Sequence, residues 1–170
     1  EVEIPFARIA AALTSFHNAD RRFQIKGERD GVLVVDDYGH HPTEIQATLE
    51  AARQVSGRRI VALFQPHRYS RSRSLENEFA AAFRLADLVV VLPIYAAGED
   101  PIPGITGERM AALMRSGGQR DVSYAAGFAE AQRILAERLR AGDLLITLGA
   151  GDVWKVGETL LESGSDGRST

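Results

Sequence analysis

Four stretches of this chain concentrate side chains with chemical potential, and each follows a run of apolar residues. The first is Asp36-Asp37-Tyr38-Gly39-His40-His41-Pro42-Thr43-Glu44, which mixes carboxylates with imidazoles. The second, Gln65-Pro66-His67-Arg68-Tyr69-Ser70-Arg71-Ser72-Arg73, carries one imidazole and three guanidiniums. The third and fourth are Pro93-Ile94-Tyr95-Ala96-Ala97-Gly98-Glu99-Asp100 and Gly149-Ala150-Gly151-Asp152. Imidazoles exchange protons near neutrality, so His40 is a candidate general base, although positioning ranks above proton transfer for it. Arginine forks grip carboxylate or phosphate with two parallel hydrogen bonds.

Each cluster also has a plainer reading. Asp37, at the end of an apolar run, is either a hydrogen-bond acceptor for a ligand or the cap of a following helix. The pair His40-His41 invites a metal, but adjacent side chains point apart and no further ligand has suitable spacing, so no metal site is expected. Arg68, Arg71 and Arg73 near a helix start oppose its macrodipole, which favours an anionic partner over simple solvation. Gly149-Ala150-Gly151 permits close backbone approach or merely a tight turn, and it does not match a dinucleotide fingerprint. A Gly-rich loop ending in Gly-Lys-Ser/Thr is absent, so the phosphates of any nucleoside triphosphate must be held elsewhere.

The elements that would position these clusters follow from periodicity. Apolar spacing predicts a helix over 5–16, with Pro5 at its first position. Two strands near 23–26 and 31–36 flank an Asp30-Gly31 turn and form an antiparallel hairpin. Then helices over 42–55, 75–85, 107–115 and 128–140 alternate with strands at 60–64, 88–92, 122–124 and 144–148, Thr106 capping the third of these helices. A last helix covers 153–162. This alternation predicts an α/β fold: a mixed six-stranded sheet, mostly parallel with one antiparallel edge strand, and helices on both faces. In such a sheet ligands bind beyond the carboxyl ends of the strands. All four polar clusters fall there, and three of the four histidines lie in the first two. The helix-to-strand links, by contrast, read as simple caps and turns.

Composition narrows the function classes. Hydrophobic residues are 45% and charged residues 25% of the 170, as in an ordinary globular domain. A net charge of −3 argues against a nucleic-acid binder. No apolar run approaches a membrane span and no signal-peptide pattern opens the chain. The absence of cysteine excludes disulfides and thiolate metal sites, which fits a cytoplasmic location. The first residue is Glu1, so the chain is expected to be a piece of a longer protein.

The four clusters, together with Arg21-Arg22-Phe23-Gln24, resemble the Mur ligases in order along nearly all of residues 21–162. The resemblance implies a Rossmann-like fold and places this chain as the C-terminal domain of a three-domain enzyme. On that basis residues 1–20 are the end of the central ATP-binding domain, 21–163 the domain proper, and 164–170 a disordered tail. The reaction implied activates the carboxylate of UDP-N-acetylmuramate with ATP to an acyl phosphate, which an amino acid's nitrogen then attacks. ATP and Mg2+ serve the complete enzyme, with the phosphate loop and metal sites in the upstream domains. By the same resemblance His67, Arg68 and Arg71 hold the carboxylate of L-alanine, Tyr38 and His40 line its pocket, and Asp37 and Arg22 contact ATP. Ser72 stands where many relatives have threonine, a conservative departure. A sister ligase that recycles a tripeptide shares the Asp-Asp and His-His-Pro signatures but differs over 65–70, which favours L-alanine. The domain alone is expected to be inactive. A non-catalytic α/β module binding a small anion is the reading from a different class.

Overall fold

The computed structural model describes residues 21–162. The helix expected over 5–16, the assignment of 1–20 to a preceding domain and the tail 164–170 lie outside the described residues. Strands β1 (Gln24–Arg29) and β2 (Val32–Asp37) form the expected antiparallel hairpin. Its turn residues Asp30 and Gly31 have φ of 49° and 77°. A two-residue primed turn demands positive φ at both positions, and Asp-Gly adopts it at little cost.

Four further strands follow: β3 (Arg59–Phe64), β4 (Leu88–Val91), β5 (Val122–Tyr124) and β6 (Asp143–Leu148). The sheet order is β1-β2-β6-β3-β4-β5. Every pairing after the hairpin is parallel. The helices are α1 (Pro42–Ser56), α2 (Tyr69–Ser74), α3 (Glu76–Ala82), α4 (Gly107–Ser116), α5 (Phe128–Arg138) and α6 (Trp154–Glu162).

Side chains of a strand alternate between faces, and β3 shows the consequence. Ile60, Ala62 and Phe64 pack with Ile45 and Leu49 of α1, Phe79 of α3 and Met110 and Met114 of α4. Val61 and Leu63 pack on the other face with Leu135 of α5 and Val153 and Val156 around the start of α6. Each fully buried Leu, Ile or Phe contributes about 1.5–3 kcal/mol. The central strands are apolar on both faces because both are covered, as parallel sheets require.

Two local expectations change. Helix α1 is capped by His41, whose side chain accepts from the Thr43 amide at 3.3 Å. The Glu44 carboxylate accepts from the amides of His40 and His41, both at 3.1 Å, completing a capping box. Asp37 is therefore not the helix cap. The helix expected over 75–85 is the shorter α3, and the unexpected α2 precedes it, the two meeting at Leu75 with φ −122°. Thr106 does cap α4, accepting from the Arg109 amide at 3.0 Å.

Strand β6 decides where the site lies. It sits between β2 and β3, and the chain leaving its carboxyl end turns to α6 on the face opposite the helices that follow β2 and β3. Asp37 and Phe64 both pair in register with Leu148. The loops after β2, β3 and β6 therefore emerge side by side at a topological switch point.

Candidate functional site

The floor of the site is a buried pair of carboxylates. Asp36, 1% exposed, receives Arg21 Nε at 2.7 Å and Thr147 Oγ1 at 2.6 Å. The same guanidinium donates to the carbonyls of Gly149 at 2.6 Å and Gly151 at 3.1 Å. Arg21 also lies over the Tyr38 ring at 5.3 Å, and its carbonyl accepts from the Tyr38 amide at 2.6 Å. One residue thus joins the loops after β2 and β6. Asp37, 5% exposed, accepts from the amides of Phe23 at 2.8 Å and Gly39 at 2.7 Å, one on each oxygen. A carboxylate oxygen has two lone pairs, so each keeps one acceptor position.

A row of rings crosses the carboxyl edge. Tyr38 meets His40 edge-on at 5.2 Å, His40 meets His67 at 5.6 Å, and His67 stacks on Tyr95 at 5.5 Å. His40 Nδ1 lies 3.1 Å from the Tyr38 carbonyl and 3.7 Å from the Glu44 carboxylate. The two adjacent histidines thus diverge: His40 joins the row and His41 caps α1. Among the described residues no group of three or more His, Asp or Glu is arranged to hold a metal ion.

The cations flank this row. Arg71 Nη1 lies 3.4 Å from both Nδ1 and the carbonyl of His67. Its Nε and Nη2 make no hydrogen bond among the described residues. Arg68 caps α2 with φ 72° and ψ 135°, a conformation costly for any residue with a Cβ. Its amide donates to the Tyr95 carbonyl at 2.8 Å, and the buried Ser72 hydroxyl returns to its carbonyl at 2.9 Å. Its guanidinium stands 3.8 Å from Glu99. Glu99 in turn receives the Ser70 hydroxyl at 2.6 Å. The macrodipole argument needs correcting here. Helix α2 has only six residues, so Arg71 and Arg73 lie in its last turn, where a cation is favoured. The case for an anionic ligand rests instead on the uncommitted donors of Arg71.

Tyr38, His40, His67 and Arg71 are therefore brought together, with Arg68 at their rim. Arg22 is exposed, and its charge helps to hold the Glu44 carboxyl down. For Glu44, burial pulls upward, but the His40 and His41 amides, with His40 and Arg22, outweigh it and leave the carboxyl below its ordinary range. Sequence reasoning passed over Arg21, Gln65, Tyr95 and Glu99 as individual site residues. Three of these stand in the post-strand clusters, which was the available signal.

His67 is set below its ordinary 6.5, first by burial and then by His40, Arg71 and Arg68, against Glu99. The unfolded chain therefore takes up a proton at this imidazole more readily than the folded one. Its contribution to stability is present above pH 6.5 and is lost as pH falls toward the lower folded value. A carboxylate bound beside it would raise the value, so such binding would strengthen as pH falls between the two. NMR titration should place His67 below 6.5 in the free domain. A midpoint at or above that value refutes the burial argument.

An open sheet that gathers buried carboxylates, imidazoles and the uncommitted donors of Arg71 at its switch point defines an α/β domain with its polar groups at the strand ends. The family model described as "Mur ligase, glutamate ligase domain" matches residues 21–151. The chain belongs to the Mur ligase family. It is similar to the UDP-N-acetylmuramate–L-alanine ligase of Desulfosudis oleivorans, 54% identical over 162 residues that make up 95% of this chain and 35% of that protein. The corresponding ligase of Geotalea uraniireducens is 52% identical with the same coverage. The crystal structure of the UDP-N-acetylmuramate–alanine ligase of Thermotoga maritima superposes with a TM-score of 0.77 at 27% identity, covering 97% of this chain and 34% of that one. A murein peptide ligase of Psychrobacter arcticus, at 22% identity and a TM-score of 0.69 over 94% of this chain and 33% of that one, shares the fold. The chain thus spans about 35% of the length of the curated relatives it matches.

Proposed function

We propose that this domain holds L-alanine and part of ATP for a ligase that joins the amino acid to UDP-N-acetylmuramate in peptidoglycan precursor synthesis. The single observation that carries this is the uncommitted fork of Arg71 beside His67, within a chain 54% identical to such ligases. Arg71, Arg68 and His67 hold the amino acid's carboxylate, and Tyr38 and His40 line its pocket. Anchoring the carboxylate leaves the amine at a defined place, which turns an encounter between two solutes into a positioned attack. His40 orients or accepts a proton from that amine. The upstream domains of the full-length protein supply the muramate and the phosphate-binding loop, and the enzyme works in the cytoplasm.

The residues present fit part of ATP. Asp37 retains acceptor positions for a ribose hydroxyl, and the exposed Arg22 offers donors to the nucleotide. ATP supplies the phosphoryl group that activates the muramate carboxylate. The ligands of Mg2+ lie in the upstream domains of the full-length protein, as in the family that the chain belongs to. Residues 1–20 belong to the central domain of the full-length protein and residues 21–163 to this one.

The test is ATP-dependent phosphate release with UDP-N-acetylmuramate, offering either L-alanine or the tripeptide. The full-length protein should turn over L-alanine, and the 170-residue chain alone neither. Turnover of the tripeptide in preference makes this a recycling ligase. No turnover by folded full-length protein leaves an anion-binding module. Within the ligase reading, Asp37→Ala should raise the apparent KM for ATP about tenfold and that for L-alanine less. The reverse pattern refutes the ribose role.

A further inference from the structure

Gln65 follows β3 directly and is 7% exposed, yet its Oε1 is buried without a hydrogen-bond partner. It is the one such side-chain atom among the described residues. Other buried polar side chains are matched: Asp36 by Arg21 and Thr147, Asp37 by two amides, Asp143 by Arg59, and Gln119 by the Ala86 carbonyl. An unpaired buried amide oxygen costs about 1–3 kcal/mol, which a methionine of similar volume would avoid.

That place is a seam in the site. A Cβ on Gly151 would lie 2.5 Å from Gln65 Oε1 and 2.9 Å from the Tyr95 ring. The amide and the Tyr95 ring thus both pack against Gly151 of the loop after β6, and that ring stacks on His67. Only Pro66 separates Gln65 in the chain from His67, the imidazole that flanks Arg71. An amino acid whose carboxylate rests on His67 and Arg71 has its nitrogen within a few bonds of that anchor. The nitrogen carries the donor that Gln65 lacks.

We infer that Gln65 is a positioning residue for the amino group of the bound amino acid, accepting an N–H hydrogen bond on Oε1 and so directing the nitrogen lone pair. The inference rests on the function proposed above. The χ3 torsion is broad and two-fold, so the acceptor turns out from beneath Gly151 without moving the backbone. The bond is made only when the amine is present, so a ligand with the same carboxylate and no amine does not engage it.

Propionate is L-alanine without its amine, and it separates this role from a structural one. In the full-length protein, propionate inhibition should be at least about tenfold weaker than L-alanine binding. Gln65→Met should raise the apparent KM for L-alanine about tenfold, leave the propionate inhibition constant unchanged, and leave the melting temperature equal or higher. Equal affinity of the unsubstituted protein for the two ligands overturns the inference without any variant. So does a Gln65→Met or Gln65→Leu protein that weakens both ligands alike, or neither. Absence of L-alanine turnover in the unsubstituted protein overturns the ligase reading itself and is seen before any variant is made.

Discussion

In the full-length protein, Arg71→Ala raises the apparent KM for L-alanine about 100-fold and changes that for ATP by less than about threefold. The asymmetry follows from where the guanidinium stands. Arg71 is half-buried beside His67, with only Nη1 engaged, and that at 3.4 Å. Its free N–H groups are a fork that a carboxylate completes with two charge-assisted bonds, each roughly twice as strong as a neutral one. Asp37 and Arg22, assigned to the nucleotide, make no hydrogen bond or ion pair with it. Lysine presents a point charge on a flexible stem and cannot reproduce the fork, so Arg71→Lys should recover only part of the loss. Steady-state kinetics with each substrate varied in turn settles the matter: an unchanged alanine KM removes Arg71 from the carboxylate site.

Arg21→Met destabilises the folded domain by about 3 kcal/mol, measured by urea unfolding of the 170-residue chain. Asp36 is 1% exposed and would keep only the Thr147 hydroxyl as a side-chain donor. Removing one partner of a buried pair leaves an uncompensated charge, whereas removing both does not. The double variant Arg21→Met, Asp36→Leu should therefore regain much of the loss, a coupling that a cycle of single and double variants measures directly. The fall in melting temperature expected for Arg21→Met alone is about 10 °C. Additive losses in the cycle show that the pair is not coupled.

Much of this architecture is legible from residue order. The alternation of Ile60-Val61-Ala62-Leu63-Phe64 with helical spacing, the Asp30-Gly31 turn and the Thr106 cap are local signals, and the structure bears out each. The clusters after β2, β3, β4 and β6 are likewise post-strand loops. The misses have two causes. Helix α2 is a six-residue turn tied to Tyr95 and Ser72 through an Arg68 with positive φ, and periodicity is blind to so short an element. That also moved Arg71 and Arg73 to the end of the helix that the macrodipole makes favourable for them. Arg21 and Gln65 are missed for a different reason. Their neighbours Gly149 and Gly151 come from the far end of the chain. Only the insertion of β6 between β2 and β3 brings them near, and strand order is not written in any local pattern.

The Arg21 clamp also fixes where a lever would turn. Arg21 stands at the carboxyl end of β2 and β6, held there to β2 and to the loop after β6. A six-residue strand is about 20 Å long, so a 10° rotation about Arg21 sweeps the opposite end of the sheet through about 3.5 Å. Atoms within about 5 Å of Arg21 move by less than about 1 Å in the same swing. In any rotation about that point the buried carboxylates and the rings beside Arg21 would shift least.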